Sequence, residues 1–317
     1  MNTFCTIITA NYFPHALALY KSLKKFDREI SLYVLVADRE PLTEEHTEAG
    51  MKILRAYALE QYPLVEELYN KYAHIRMDFF RWSLKSVLMS YLLEKGFEKV
   101  LFVDCDIFFF NDYHFLFDAL DQSDVILTPH WYNSNPVTNE SGFIQLLNSG
   151  FFNAGFIGSN KKGLAALRWW ANVCHYRMDE RMESGMYVDQ RYLDLLPLLF
   201  ENVKILSHKG CNLGAGNYEE CKRILVGNTL LIDGRYPVVF VHFYKSLIEQ
   251  ILKGYDPLLV PHFNKYKAVF EESGVPFRHF MGSLAKQLQP PVMIKLKWKL
   301  RIRTRIKGLL YSLAHKL

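Results

Sequence analysis

Val100-Leu101-Phe102-Val103 runs directly into Asp104-Cys105-Asp106, and no other segment of the 317-residue chain restricts its fold and chemistry so far. Four consecutive apolar residues read as a buried strand. Residues i and i+2 of a strand or tight turn point the same way, so Asp104 and Asp106 can reach a common point at the strand's carboxyl end. Two carboxylates converging on one spot repel each other unless a cation lies between them. A hard divalent ion, Mn²⁺ or Mg²⁺, suits such oxygens. A strand-to-loop junction with two solvated acids shows the same pattern, so the rest of the chain has to distinguish the two.

The residues before this strand alternate. Positions 4–10 favour a strand, and 14–26 carry a helical stripe (Ala16, Leu17, Leu19, Tyr20, Leu23, Phe26) opened by Pro14. Positions 31–37 form a second buried strand ending at Asp38. This β-α-β beginning predicts a parallel sheet. Helical patterns follow at 64–73 and 79–95, the second closed by Gly96. After the aspartates come a helix over 113–121 and a strand over 124–128. Residues 131–140 read as a loop. The second half predicts a strand at 150–158, helices at 162–178 and 188–195, and strands at 203–206, 225–231 and 238–241. Ligands of open α/β sheets gather at strand carboxyl ends, where Asn11, Asp38, Asp104 and Asp106 all fall.

Half the residues are apolar and 15% aromatic, which excludes a disordered chain. The N-terminus reads as a first strand, with no basic n-region, and no stretch of 18 apolar residues predicts a membrane span. Five scattered cysteines without a Cys-x-x-Cys pair predict reduced thiols and no zinc site. The expectation is an intracellular protein.

Five blocks in order then carry a resemblance: Thr9-Ala10-Asn11-Tyr12, Asp104-Cys105-Asp106-Ile107, Phe152-Asn153-Ala154-Gly155-Phe156, Asp189-Gln190 and His242. Over residues 3–245 the chain resembles GT-A-fold nucleotide-sugar glycosyltransferases, nearest to family eight, which includes bacterial lipopolysaccharide galactosyl- and glucosyltransferases. The resemblance implies an α/β fold with a Rossmann-like mixed, mainly parallel sheet flanked by helices over residues 1–284. It also implies a hexose moved from a nucleotide-sugar donor, UDP-linked, to a cell-envelope glycan or glycolipid acceptor with retained configuration. Thr9, Ala10, Asn11 and Tyr12 then line the base and ribose, and Asp104, Cys105 and Asp106 the diphosphate. Asn153 and Ala154 lie along the donor sugar, with Asp189 and Gln190 at its reacting face. His242 becomes the third ligand of Mn²⁺ (or Mg²⁺), and Lys85 or Arg81, four residues apart, the basic residue near the donor.

The chemistry of these residue types is consistent with those roles. Two carboxylates and an imidazole suit Mn²⁺ while permitting Mg²⁺. A divalent ion neutralises the charge that grows on a departing diphosphate. Amides such as Asn153 and Gln190 hydrogen-bond sugar hydroxyls without adding charge, and Asp189 can accept paired O–H bonds. Each residue also has a plainer use. Tyr12 can pack on the following helix, Asn153-Ala154-Gly155 can be a turn, and Asp189 can cap a helix. His242 can simply be buried, and Arg81 and Lys85 can sit on a solvated face. The family's His-x-x-Gly-x-x-Lys-Pro-Trp is absent. His242-Phe243-Tyr244-Lys245 replaces it, leaving Lys245 as the nearby cation for the diphosphate, with 210–217 (Asn212 and Asn217 among them) as a compensating loop. Trp131 and Tyr132 are candidates for stacking on acceptor sugars.

Residues 285–317 hold nine Lys/Arg and no acid, so the other 29 of 38 basic residues face 33 acids and the body is net −4. Nucleic-acid binding by the body is therefore not expected. From Ile294 to Lys307 apolar and basic residues alternate, with Trp298 among them. This segment predicts a basic amphipathic tail on an anionic membrane, at about 1 kcal/mol per cation, and hence a peripheral place on the cytoplasmic face of the inner membrane. Two other readings of the chain stay open. An apolar strand followed by Asp-x-Asp also opens haloacid-dehalogenase-type phosphatases, and a non-catalytic nucleotide-sugar-binding protein has the same blocks.

Overall fold

The computed structural model describes residues 1–42, 48–59 and 62–278. The chain divides into two compact units, Met1–Val275 and Pro276–Leu317. The first holds every element named below, and the tail from Ala285 onwards lies outside the described residues. Among those residues no helix is long and apolar enough to cross a membrane.

The chain begins with β1 (Asn2–Ile8), α1 (Phe13–Lys24), β2 (Leu32–Val36) and β3 (Met51–Arg55). Three helices follow, α2 (Pro63–Leu68), α3 (Met77–Ser83) and α4 (Lys85–Glu94), before β4 (Lys99–Val103) and the short β5 (Ile107–Phe109). Next come α5 (His114–Ala119), β6 (Val125–Pro129), α6 (Glu140–Ser149), β7 (Phe152–Asn160) and α7 (Leu164–Tyr176). After α8 (Leu196–Leu199) and β8 (Val203–Ile205) the chain forms β9 (Arg223–Val226), β10 (Thr229–Ile232), β11 (Tyr236–Pro237) and β12 (Phe240–His242). The last described elements are α9 (Lys245–Leu252) and α10 (Val260–Glu271).

The described strands form a seven-stranded sheet in the order β3-β2-β1-β4-β7-β6-β8, beside a three-stranded and a two-stranded one. β1 pairs in parallel with β2 and β4, β2 with β3, and β6 with β8, whereas β7 runs antiparallel to both β4 and β6. The mixed, mainly parallel α/β sheet expected from the sequence is therefore present. Its central strands are mostly apolar and buried because both faces are covered, with Thr3, Thr6, Thr128 and Ser159 as buried polar exceptions. Along β4 the pleat sends Val100 and Phe102 into one core with Cys5, Ile7 and Trp170. Leu101 and Val103 enter the other with Phe4, Ile8 and Phe156. The β1, β2, β3, β4, β6 and β8 strands end at one edge of the sheet, and β7 begins there.

Several elements differ from the sequence reading. The helix expected over 79–95 breaks at Leu84, which ends α3 and opens α4. The strand expected over 225–231 is a hairpin, β9–β10, turned at Gly227 with φ +60. The helix expected over 188–195 is a turn through Val188 (φ +43) followed by a 3-10 segment at Arg191–Leu195. Trp170 Nε1 donates to the Asp189 carbonyl at 2.8 Å, so that carbonyl is not available to an α-helical ladder. The sequence reading missed β3, β5, α6, α8, α9 and α10. Of these, α6 buries only Ser149 and leaves Ile144 and Leu147 exposed.

Gly158 shows how tightly β7 is held in the sheet. A Cβ there would lie 2.6 Å from both Ile126 Cγ1 and Leu101 Cδ2. Gly158→Ala should therefore lower stability by about 1–3 kcal/mol, read as a lower urea midpoint with an unchanged slope. A midpoint equal to the parent's would show that the sheet relaxes around the added methyl.

Candidate active site

Asp104 follows β4 directly, and its N–H donates to the Gly155 carbonyl at 2.8 Å. The chain then turns, with Ile107 N–H donating to the Asp104 carbonyl, and enters β5. Antiparallel pairing of β5 with β12 sets Ile107 opposite His242, and Phe243 N–H closes on the Asp106 carbonyl at 2.8 Å. This short pairing brings residues 136 positions apart to one point. His242 Nε2 lies 2.9 Å from Asp106 Oδ1 and 3.8 Å from Asp104 Oδ2. Burial opposes a charge on either partner, yet each stabilises the other's. Asp106 is held down to about 2 and His242 is raised above its ordinary value.

Three ligand atoms, one each from Asp104, Asp106 and His242, lie within 4.8 Å of one another. Two oxygens and an imidazole nitrogen are a donor set for Mn²⁺ or Mg²⁺. Gly155 forms the floor beside them, since a Cβ there would sit 2.6 Å from His242 Cε1 and 3.0 Å from Asp104 Oδ2. The residues fit a small divalent ion.

Lys85, the first residue of α4, is buried behind this cluster. Its ammonium lies 3.2 Å from Asp104 Oδ1 and 3.1 Å from Asp189 Oδ2, and it donates to the Ala154 carbonyl at 3.0 Å. The contact to Asp189 is an ion pair without the alignment of a directed hydrogen bond. Burial disfavours the ammonium, but Asp104 and Asp189 outweigh it and raise the Lys85 pKa. Burial likewise pushes the Asp189 carboxyl up, against the pull of Lys85. Lys85 is thus not on a solvated face, and Asp189 does not act as a helix cap.

Asn153 and Gln190 are held firmly in place. Asn153 Oδ1 accepts from Gly155 N–H at 2.6 Å, and its Nδ2 donates to Asn212 Oδ1 at 2.9 Å and faces His242 Nδ1 at 3.4 Å. Gln190 Nε2 donates to the Ser149 carbonyl at 2.8 Å, and its Oε1 accepts from Ala154 N–H at 3.4 Å. His130 Nε2 sits 3.2 Å from Gln190 Oε1, and its Nδ1 is 2.9 Å from the Gly150 carbonyl. Burial pushes His130 down to about 4, so the ring is neutral near pH 7. Sequence reasoning missed His130, although it directly follows β6 at the same edge as Asp104.

The cavity in front of these groups measures about 250 Å³. Lys85, Asp104, Asn153, Ala154, Asp189, Gln190 and His242 line it, together with an aromatic wall of Trp82, Tyr132, Tyr187 and Tyr244. The β1 loop lies to one side. Thr9 Oγ1 donates to Asn11 Oδ1 at 2.6 Å, and Ala10 N–H donates to both oxygens of Asp38 at 3.1 Å. The Tyr12 ring stacks on His15 of α1 with centroids 5.1 Å apart, and the Arg81 guanidinium lies 5.8 Å from it. Arg81 is itself paired with Asp78. Cys105 is buried in the core, where desolvation raises its thiol pKa.

Other candidates are placed differently. Lys245 opens α9 and does not line the cavity. Asn212 and Asn217 do not form an open loop over a ligand. Both are buried, with Asn217 Nδ2 donating to the Asn212 carbonyl at 2.8 Å and Asn212 bracing Asn153. Trp131 sits under the Lys209 ammonium at 5.4 Å and is also outside the cavity lining.

No protein-family model matches the chain. The uncharacterized proteins YfnF and YfnD of Bacillus subtilis (strain 168) are each 26% identical to it, over 252 and 251 residues. Both alignments cover 76% of this chain, and they cover 80% and 76% of those proteins. Among solved structures, the chain is similar to galactosyltransferase LgtC in complex with donor and acceptor sugar analogues. Identity there is 17%, covering 81% of this chain and 95% of that one, with a TM-score of 0.49. It is also similar to mouse xyloside xylosyltransferase 1 in its apo form, with 14% identity over 78% and 99% of the two chains and a TM-score of 0.47.

Replacing the buried cation tests the electrostatics directly. Lys85→Met leaves Asp104 and Asp189 without it and should cost about 3–5 kcal/mol near neutral pH. The folded pKa of Asp189 lies above its unfolded value, so protonating it favours the folded state. The deficit should therefore shrink as pH falls through the Asp189 range. Chemical denaturation at neutral and mildly acidic pH reads this, and a deficit that stays constant with pH would remove Asp189 from the account.

Proposed function

We propose that the protein is a metal-dependent glycosyltransferase that moves a hexose from a UDP-linked sugar to a cell-envelope glycan or glycolipid, with retention of configuration. The observation that carries this reading is the convergence of Asp104, Asp106 and His242 at the strand ends, beside a cavity lined by Asn153, Asp189 and Gln190. Asp104, Asp106 and His242 would hold Mn²⁺ or Mg²⁺. Such an ion, when bound, supplies Lewis-acid stabilisation of a departing diphosphate.

The chain's own residues supply the rest. Thr9, Ala10, Asn11 and Tyr12 bound the nucleoside side, and Cys105 contributes its backbone at the turn between the two aspartates. Asp189 keeps its carboxylate beside Lys85, where it can accept sugar O–H groups. The Gln190 amide is oriented by Ser149, Ala154 and His130, so it needs little reorganisation when substrate binds. Trp82, Tyr132, Tyr187 and Tyr244 form an aromatic wall that would cover one side of a bound sugar. Lys245 is proposed to meet the diphosphate only at the cavity's outer margin. The nine cations of residues 285–317 are proposed to hold the enzyme on an anionic membrane.

Several kcal/mol of Lewis-acid stabilisation corresponds to about 10³-fold in rate. Asp106→Ala and His242→Ala should each lower metal-stimulated UDP-sugar turnover by about that factor while the protein stays folded by circular dichroism. Parent-level turnover in either variant would refute the metal assignment. Metal affinity should also fall as pH drops through the raised His242 pKa, because a proton and the metal compete for the imidazole. Titration calorimetry with Mn²⁺ across that range reads the slope.

Removing the chain beyond Leu288 should reduce sedimentation with anionic liposomes and leave soluble donor hydrolysis unchanged. Equal sedimentation of the two forms would remove the membrane role.

A further inference from the structure

A second concavity of about 500 Å³ adjoins the cavity described above and shares Tyr132 and Gln145 with it. It is bounded by α6 on one side and on the other by the segment around Gly216 and the start of the α9–α10 connection. Its lining has an unusual chemistry. Tyr218 and Tyr255 are 46% and 68% exposed, large rings kept at the surface beside Tyr132. Gln145 and Gln250 add side-chain amides. Among the described residues lining this groove there is no Leu, Ile, Val, Phe or Met, so an acyl chain or an apolar peptide side chain would find no matching surface. The single charged lining residue is Glu219, whose Oε2 accepts from Asn133 Nδ2 at 2.5 Å and Asn139 Nδ2 at 2.9 Å.

The aromatic part of the groove is built, not incidental. The Arg223 guanidinium lies 5.3 Å from the centre of the Tyr218 ring. Arg223 is itself buried, pairing with Asp256 Oδ2 at 3.0 Å and donating to the carbonyls of Cys221 at 2.6 Å and Asn217 at 3.1 Å. That network fixes the segment carrying Tyr218. Gly216 is needed at this wall because a Cβ there would overlap the Tyr132 ring at 1.7 Å. Tyr244 Oη accepts from Ala215 N–H at 2.8 Å and ties the same segment to the residue two after His242.

Tyrosine rings give large, rigid contact area at low entropic cost, and amides with one carboxylate present acceptors and donors to hydroxyls. We propose that this groove binds a neutral, hydroxyl-rich oligosaccharide, the acceptor whose terminal sugar enters the cavity past Tyr132. This assignment rests on the glycosyltransferase reading for the word acceptor, but not for the binding itself. Glu219 sets the charge class. A phosphorylated or uronate-bearing glycan would bring an anion against a carboxylate that has no cation beside it in the lining, which rejects such ligands by repulsion.

Saturation-transfer NMR on the full chain, with lactose, maltotriose and chitotriose as probes against galacturonate oligomers of the same length, tests the assignment. At least one neutral probe should bind, and Tyr218→Ala and Tyr255→Ala should each weaken it by about tenfold. Tyr255→Ala should melt at the parent temperature, and Tyr218→Ala within a few degrees of it because it gives up the Arg223 contact. Both should keep the parent's metal-dependent UDP-sugar hydrolysis. Glu219→Gln retains the acceptor oxygen for Asn133 and Asn139 and should narrow the gap between neutral and uronate probes. The proposal is overturned if no neutral saccharide binds, if binding ignores both tyrosines, or if the uronates bind tighter to the parent. A chain that binds saccharide in this way yet turns over no nucleotide-sugar would overturn the transferase reading and leave the groove as a saccharide site.

Discussion

The buried ammonium of Lys85 is the interaction on which the candidate site depends. Asp104, Asp106 and Asp189 bring three carboxyl groups into a small region of low polarity, where like charges interact far more strongly than in water. Lys85 sits between two of them and also donates to the Ala154 carbonyl, so one side chain ties α4 to β4, to the Asp189 turn and to the start of β7. Burial of such a group is unfavourable on its own, and only the paired carboxylates keep it charged. The break at Leu84 matters for this reason. Helix α4 begins at Lys85, while Arg81, near the end of α3, lies by Asp78 and Tyr12.

Asp104 divides its two oxygens between separate partners. Oδ1 faces Lys85, and Oδ2 faces His242. A cation held by Asp104, Asp106 and His242 would leave Lys85 its ion pair with Asp104. The backbone supports this division, since Asp104 N–H is fixed to Gly155 and the β5–β12 pairing fixes His242. The placement of these three side chains thus rests on main-chain hydrogen bonds, from which they project at the sheet edge.

Much of this was legible in the sequence where the physics is local. The apolar run of β4 and the β-α-β opening define the sheet because strands covered on both faces are mostly apolar. The i, i+2 spacing of Asp104 and Asp106 was sufficient to bring them together. Less was legible where long-range packing decides. Nothing near Asp189 announces that Trp170 takes its carbonyl, so a helix was expected where the chain turns. Gly227-Asn228 did carry a hairpin signal, masked by the apolar residues on both sides. Lys85 reads equally well as a solvated helix residue until β4 and the Asp189 turn are placed around it. Asn212 and Asn217 have loop composition and buried bracing roles, a distinction made only by their partners.

The segment after His242 gains a physical meaning from these placements. Tyr244 stands in the cavity wall with its hydroxyl bound to Ala215 N–H, and Lys245 goes into the first turn of α9. Among the described lining residues the only Lys or Arg is Lys85, already engaged by Asp104 and Asp189. His242 is engaged by Asp106. The cavity wall is otherwise aromatic and amide-bearing. A nucleoside diphosphate placed there would find no uncommitted side-chain cation in the lining, so its neutralisation would come from a bound ion or from outside the cavity. On the proposed reading, the Asp104–Asp106–His242 cluster would therefore carry more of that neutralisation than in a site with its own phosphate-binding cations. This arrangement also leaves the aromatic wall free to continue, through Tyr132, into the groove bounded by Tyr218 and Tyr255.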